Sequence, residues 1–79
     1  MTAKQQLHQL ISELFDVPVE SLSSDTSRDN IERWDSMGTI DLVAQVERQF
    51  NVTFELMEVE ELHTIGILEA TLQEKGIEI

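Results

Sequence analysis

Ile31-Glu32-Arg33-Trp34-Asp35-Ser36-Met37-Gly38-Thr39-Ile40-Asp41-Leu42 joins two very different kinds of chain, and the fold turns on how it is read. On its C-terminal side the residues from 36 to 50 have helical spacing. Placed at about 100° per residue, Met37, Ile40, Leu42, Val43, Ala44, Val46 and Phe50 cover roughly 220° of arc. Asp41, Gln45, Arg48, Gln49 and Gly38 take the remainder. A surface helix needs an apolar stripe only about 100° wide. The spacing therefore predicts a helix that is either central in a small bundle or partly reserved for a partner. On the N-terminal side, residues 17–35 are rich in Ser and Asp, with apolar residues only at Val17, Val19, Leu22, Ile31 and Trp34. This reads as a long ordered loop pinned to the core at those points. Ordered loops of this length in small domains usually carry function.

Working outward, Leu7, Leu10, Ile11, Leu14 and Phe15 form the i, i+3, i+4, i+7, i+8 stripe of an amphipathic helix. Thr2 and Gln5 match a capping box at its start. Val17-Pro18 is its expected end, because the residue before proline avoids the helical region. Beyond the second helix, the stretch from Phe54 to Leu62 is expected to hold a short third helix. Thr64 is a good N-cap for a fourth, whose buried stripe is Ile65, Leu68 and Leu72. Lys75-Gly76 closes it, with a cation near the C-terminal dipole and glycine at the cap. Ile77-Glu78-Ile79 is a short tail. The expected fold is all-α: one domain over residues 1–79, a small four-helix bundle with a long first loop and a short third helix.

With 79 residues, the chain buries only roughly 60–65% of the surface its unfolded form exposes. One thin core follows, with little room for a deep, water-excluded active site. There is no cysteine, hence no disulfide, thiolate metal site or cysteine nucleophile. Met1 to Gln6 lacks the apolar stretch of a signal peptide, and no run approaches the ~18 apolar residues that cross a bilayer. A soluble, cytoplasmic monomer is expected. Sixteen acidic residues against five basic ones give a net charge of −11. That disfavours nucleic acid, which needs clustered Lys and Arg. It favours partners with basic surfaces, reached by steered encounter.

Asp35 and Ser36 fall at a helix start, where the first four N–H groups lack intrahelical partners. An anion is favoured there, so a serine hydroxyl at that point would carry a phosphodiester in a stabilising place. Read alone, the dipeptide is equally an ordinary N-cap. A serine hydrolase would need a histidine base beside Ser36. Only His8 and His63 exist, the first read as exposed and the second as part of the joint before the fourth helix, and there is no nucleophile elbow. The stretch from Asp25 to Asp29 faintly resembles a calcium loop, but position six is Asn30 and position twelve Ser36, which lacks the turn glycine and the bidentate acid such a loop requires. No metal site and no catalytic residue is expected.

Trp34-Asp35-Ser36-Met37, then Asp41-Leu42, Glu47 and Phe50, resembles the signature of the acyl carrier proteins, the phosphopantetheine-binding carrier superfamily. The likeness extends over the first-helix stripe, the long loop, Val59 and Leu62 in the third helix, and Thr64-Ile65 opening the fourth. It implies that Ser36 takes 4′-phosphopantetheine from a separate phosphopantetheinyl transferase. Asp35 would precede the arm, and Met37 would be the apolar position that partner enzymes grip beside it. The arm's thiol would hold an acyl group as a thioester, and the chain itself would not be an enzyme. From Asp35 to Glu61 there are seven acids and one base, Arg48. The family presents such acids to basic patches on acyl-activating and acyl-transferring enzymes. Asp35, Asp41, Glu47, Glu55, Glu60 and Glu61 are therefore candidate contacts, each set against the plainer reading of a solvated face.

Gly38 and Arg48 stand where the fatty-acid type often has acids, and Leu56 and Met57 where polar residues are usual. With Trp34 before Asp35, these departures resemble a specialised discrete carrier more than a housekeeping one. Asp-Ser-Met-Gly-Thr is also similar to D-alanyl carriers, so an aminoacyl cargo stays open. From outside the superfamily, the rival is an unmodified acidic helical adaptor. Ile40, Ala44 and Leu62 are expected to line a gap towards the third helix, which the resemblance would fill with an acyl chain. The alternative is that the arc is fully packed and the cargo stays in solvent.

Overall fold

The helix boundaries follow from their caps. In the computed structural model, which describes residues 1–79, Thr2 Oγ1 accepts from Gln5 N while Gln5 Oε1 accepts from Thr2 N, and α1 runs Ala3–Phe15. It stops before Val17-Pro18 because Asp16 adopts the left-handed conformation (φ 57°), and Val17 N–H returns to Ser12 O. Aspartate is among the few residues that enter this region at modest cost. The second helix, α2, runs Ser36–Phe50 and ends in the same way on Asn51 (φ 56°). A single turn and a half, α3, spans Leu56–Glu60. The fourth helix, α4, is Ile65–Glu74, with Thr64 Oγ1 accepting from Ile67 N and Gly76 at φ 93° past its end. The fold is the all-helical bundle expected. Leu62 is corrected: it lies beyond α3, after Glu61 closes the helix.

One core holds these elements together. Leu7, Ile11 and Phe15 of α1 meet Leu42, Val43 and Val46 of α2 and Ile65, Leu68 and Leu72 of α4, with Phe54 and Leu62 from the joints. Leu10, Leu14 and Leu22 pack at its margin. Residues 17–35 behave as a pinned loop. Ile31 and Trp34 are fully in the core, Val17 and Leu22 pack against it, and short 3₁₀ turns form at Val19–Ser21 and Arg28–Asn30. The Trp34 ring stacks on Phe15 at 5.9 Å between centroids and 18° between planes. Such a pair contributes about 0.5–1.5 kcal/mol beyond its buried area.

Two glycines let the loop lie against helices. At Gly38 a β-carbon would collide with the Arg33 carbonyl and stand 3.1 Å from Phe15 Cε1. At Gly66 it would meet Ser24 O at 2.9 Å. Gly38, assigned by the helical wheel to the polar arc, is in fact buried under the loop. His8 is also corrected. It is half-buried, its Nε2 lies 3.0 Å from Glu69 Oε2, and Ser24 Oγ donates to Glu69 Oε1 at 2.6 Å. The carboxylate of Glu69, only 6% exposed, thus ties α1, the loop and α4 together. Lys75 likewise does more than face a helix dipole. Its Nζ lies 2.9 Å from Glu58 Oε1 and 5.1 Å from the centre of the Phe54 ring.

Candidate functional site

The candidate site is the start of α2. Asp35 is the cap: it is extended (φ −98°, ψ −165°), and its Oδ1 accepts from Gly38 N at 2.7 Å. Its carbonyl takes both Thr39 N (2.8 Å) and Thr39 Oγ1 (2.9 Å). Ser36 is therefore the first helical residue and not the cap. It is exposed, its hydroxyl stands outside the capping interaction, and it sits at the positive end of a 15-residue helix. The chain leading to it is anchored: Trp34 is buried and stacked two residues earlier, and the Arg33 carbonyl is seated against Gly38.

The wide apolar arc of α2 divides. Leu42, Val43 and Val46 face the core, whereas Met37 (68% exposed), Ile40 (56%) and Ala44 face out. Leu56 and Met57 on α3 are exposed as well. The helix thus carries an outward-facing apolar row as well as its core face. Ile40, Ala44 and Leu62 do not line one gap, because Leu62 is fully buried while the other two point to solvent. The apolar width measured on the wheel comes from an outer row, not from an inner channel.

The acids differ from one another. Asp35, Asp41, Glu55, Glu60 and Glu61 are exposed. Glu47 is half-buried, and its Oε2 accepts from Phe54 N at 2.7 Å, closing the joint after α2. Glu55 caps α3, and its N–H donates to Glu58 Oε1 at 2.8 Å. That bond, with the one from Lys75, holds the Glu58 carboxyl below its ordinary pKa. Sequence reasoning passed over Glu58 as a structural residue. The box formed by Glu55 and Glu58 opens on glutamate, not on the Ser or Thr that makes such a box readable in sequence.

His8 is committed to Glu69, and His63 lines a separate cleft with Ser27, Arg28, Asp29, Trp34 and Thr64. Trp34 also carries a buried Nε1–H with no hydrogen-bond partner, an arrangement that costs about 1–3 kcal/mol. No helix is long and apolar enough to cross a membrane.

The chain is a small helical bundle that presents an exposed serine at the start of its second helix, after a loop pinned to the core. The family model for the phosphopantetheine attachment site matches residues 5–72, and the chain belongs to that family of phosphopantetheine-binding carrier proteins. The family's prosthetic group is 4′-phosphopantetheine. No curated protein matches the chain.

Proposed function

We propose that residues 1–79 form a single carrier domain that holds acyl groups on 4′-phosphopantetheine attached through Ser36 Oγ, and that it presents them to partner enzymes without catalysing their chemistry. The observation that carries this reading is the division of labour at the helix start. Asp35 does the capping, which leaves the Ser36 hydroxyl exposed and available.

The group fits the residues present. In loading, a bond forms between Ser36 Oγ and the β-phosphorus of coenzyme A, the pyrophosphate P–O bond breaks, adenosine 3′,5′-bisphosphate leaves, and the serine proton passes to a base on the transferase. The resulting phosphodiester lies at the positive end of α2. Its terminal thiol supplies the attachment point for the cargo, and the cysteine-free chain offers no thiol that would compete. Asp35 holds the helix start in place. Met37 and Ile40 offer an apolar grip beside the arm, with the exposed Asp41 on the same helix and Glu55, Glu60 and Glu61 exposed on and around α3. This supports partners with a basic rim around an apolar contact: the phosphopantetheinyl transferase first, then acyl-activating and acyl-transferring enzymes. A cytoplasmic monomer accords with this role.

Intact-mass measurement after incubation with coenzyme A and a broad-specificity transferase tests the proposal. One phosphopantetheine is expected on the wild type and none on Ser36→Ala. A wild type left unmodified by several competent transferases would remove the reading.

A further inference from the structure

The cleft in front of Trp34 has features that attachment at Ser36 does not explain. Its volume is about 380 Å³, and its walls are Ser27, Arg28, Asp29, Trp34, His63 and Thr64. Main-chain pairing frames it: Arg28 N donates to His63 O at 2.9 Å, and Ser27 and Thr64 form an isolated antiparallel bridge. The first backbone donors of α4 are already spent, Ile65 N on Thr26 O, Gly66 N on Ser24 O and Ile67 N on Thr64 Oγ1. The side-chain nitrogen donors in the cleft wall are those of Trp34, Arg28 and His63. Trp34 is 2% exposed, and its Nε1–H is the chain's one buried side-chain polar atom without a partner. Arg28 is half-buried and in no ion pair, the chain's two pairs being His8–Glu69 and Lys75–Glu58. His63 is likewise unpaired.

A buried, unpartnered indole N–H on one wall residue and an unneutralised guanidinium on another together call for an anionic acceptor, and a planar carboxylate suits the guanidinium fork. A free anion has little reason to come. The chain carries a net charge of −11, and Asp29 stands in the cleft wall. A tethered anion is in a different position, since tethering replaces weak capture from solution with a high effective concentration. Ser36 lies two residues from Trp34, a span of at most about 7 Å along the chain, and the arm it would carry is several times longer. We infer that the cleft binds the free carboxylate of a dicarboxylic acyl group carried on that arm, with Trp34 Nε1–H and Arg28 as its recognition groups. This rests on Ser36 being the attachment site. The indole N–H is closed to water, so the acceptor reaches it by displacing a wall side chain. His63, exposed and held by no ion pair, is the one free to yield.

The single tryptophan of the chain gives one indole N–H resonance, which makes the test direct. The ¹⁵N-labelled chain is loaded with coenzyme A, butyryl-coenzyme A or succinyl-coenzyme A, and loading is verified by intact mass. Relative to the other two forms, the succinyl form is expected to show a downfield indole proton with about tenfold slower solvent exchange, the size of one charge-assisted hydrogen bond. Arg28→Gln should return the succinyl form to the butyryl values. Millimolar succinate added to the unloaded chain should leave the resonance unmoved. An identical indole signal in all three loaded forms overturns the inference. So does the same change with the bare arm, which would assign the N–H to the arm's own amides or phosphate. Free succinate acting as strongly as the tethered group overturns the tethering. Absence of any mass gain removes the Ser36 reading and this one with it, whereas a loaded chain with an unmoved indole removes this one alone.

Discussion

The carbonyl oxygen of Arg33 occupies the space that a β-carbon on Gly38 would need, so that the last turn of the loop and the first turn of α2 touch main chain to main chain. Glycine is required here for close approach and not for an unusual dihedral angle. Gly38→Ala should therefore destabilise the fold by about 1–3 kcal/mol, the range for overpacking. Gly66→Ala meets Ser24 O at 2.9 Å and should cost less. Denaturant midpoints measure both, and a Gly38→Ala protein as stable as the wild type would show that the contact relaxes freely.

Ser36 and its neighbour should separate attachment from stability. Ser36→Ala removes a hydroxyl that does not cap the helix, so stability should change by less than about 0.5 kcal/mol while phosphopantetheinylation disappears. Asp35→Ala removes the bond to Gly38 N and should cost about 1 kcal/mol. If thermal melts showed the Ser36 variant to be the weaker of the two, the assignment of the cap would be wrong.

The acids can be sorted by salt bridge-free exposure. Asp41→Lys should slow modification by the transferase at low salt more than Glu20→Lys or Glu78→Lys, because it lies on α2 close to Ser36. Equal slowing by all three would leave only net charge. Glu47→Lys is a poor substitute in this comparison. Its carboxylate accepts from Phe54 N, so reversal should also destabilise the chain by about 1–3 kcal/mol, which urea titration would reveal.

Glu58 should give the chain part of its acid sensitivity. Its folded-state pKa is lowered, first by the Glu55 N–H and then by Lys75. The folded state thus binds its proton less readily than the unfolded state does. That stabilisation is present above the ordinary glutamate pKa of about 4.3 and is lost as pH falls through the lower, folded value. Glu58→Gln should flatten the decline in melting temperature below that pH. An unchanged slope would show that the interaction with Glu55 and Lys75 adds nothing to stability.

Most of the architecture was legible because its signals are local. Thr2-x-x-Gln5, Asp35 before Ser36 and Thr64 before Ile65 mark helix starts by side chains that reach only three residues. The loop's anchors were legible because Ile31 and Trp34 are apolar in a polar stretch. What escaped depends on contacts far apart in sequence. His8 looked like a surface residue of α1 because its partner, Glu69, is 61 positions away. Gly38 looked like part of a solvated face because the oxygen that fills its missing side chain belongs to the loop. At the candidate site, the place of Ser36 at the start of a helix was legible from its context, whereas the inward turn of Glu47 was not, since charge alone does not say which way a carboxylate points.

The two glycine notches also fix a length. Ser24 O is seated against Gly66 and Arg33 O against Gly38, and between them Thr26 O and Arg28 N are paired with Ile65 N and His63 O. The segment from 24 to 33 is therefore in register with the helices at both ends, like a strap cut to measure. One added residue inside it would slide a carbonyl off its seat and turn the serine away from its present heading. The same insertion among residues 18–22, before the first seat, would only enlarge a bend at the surface. Homologous carriers should accordingly vary in length ahead of the first seat and keep the count constant after it.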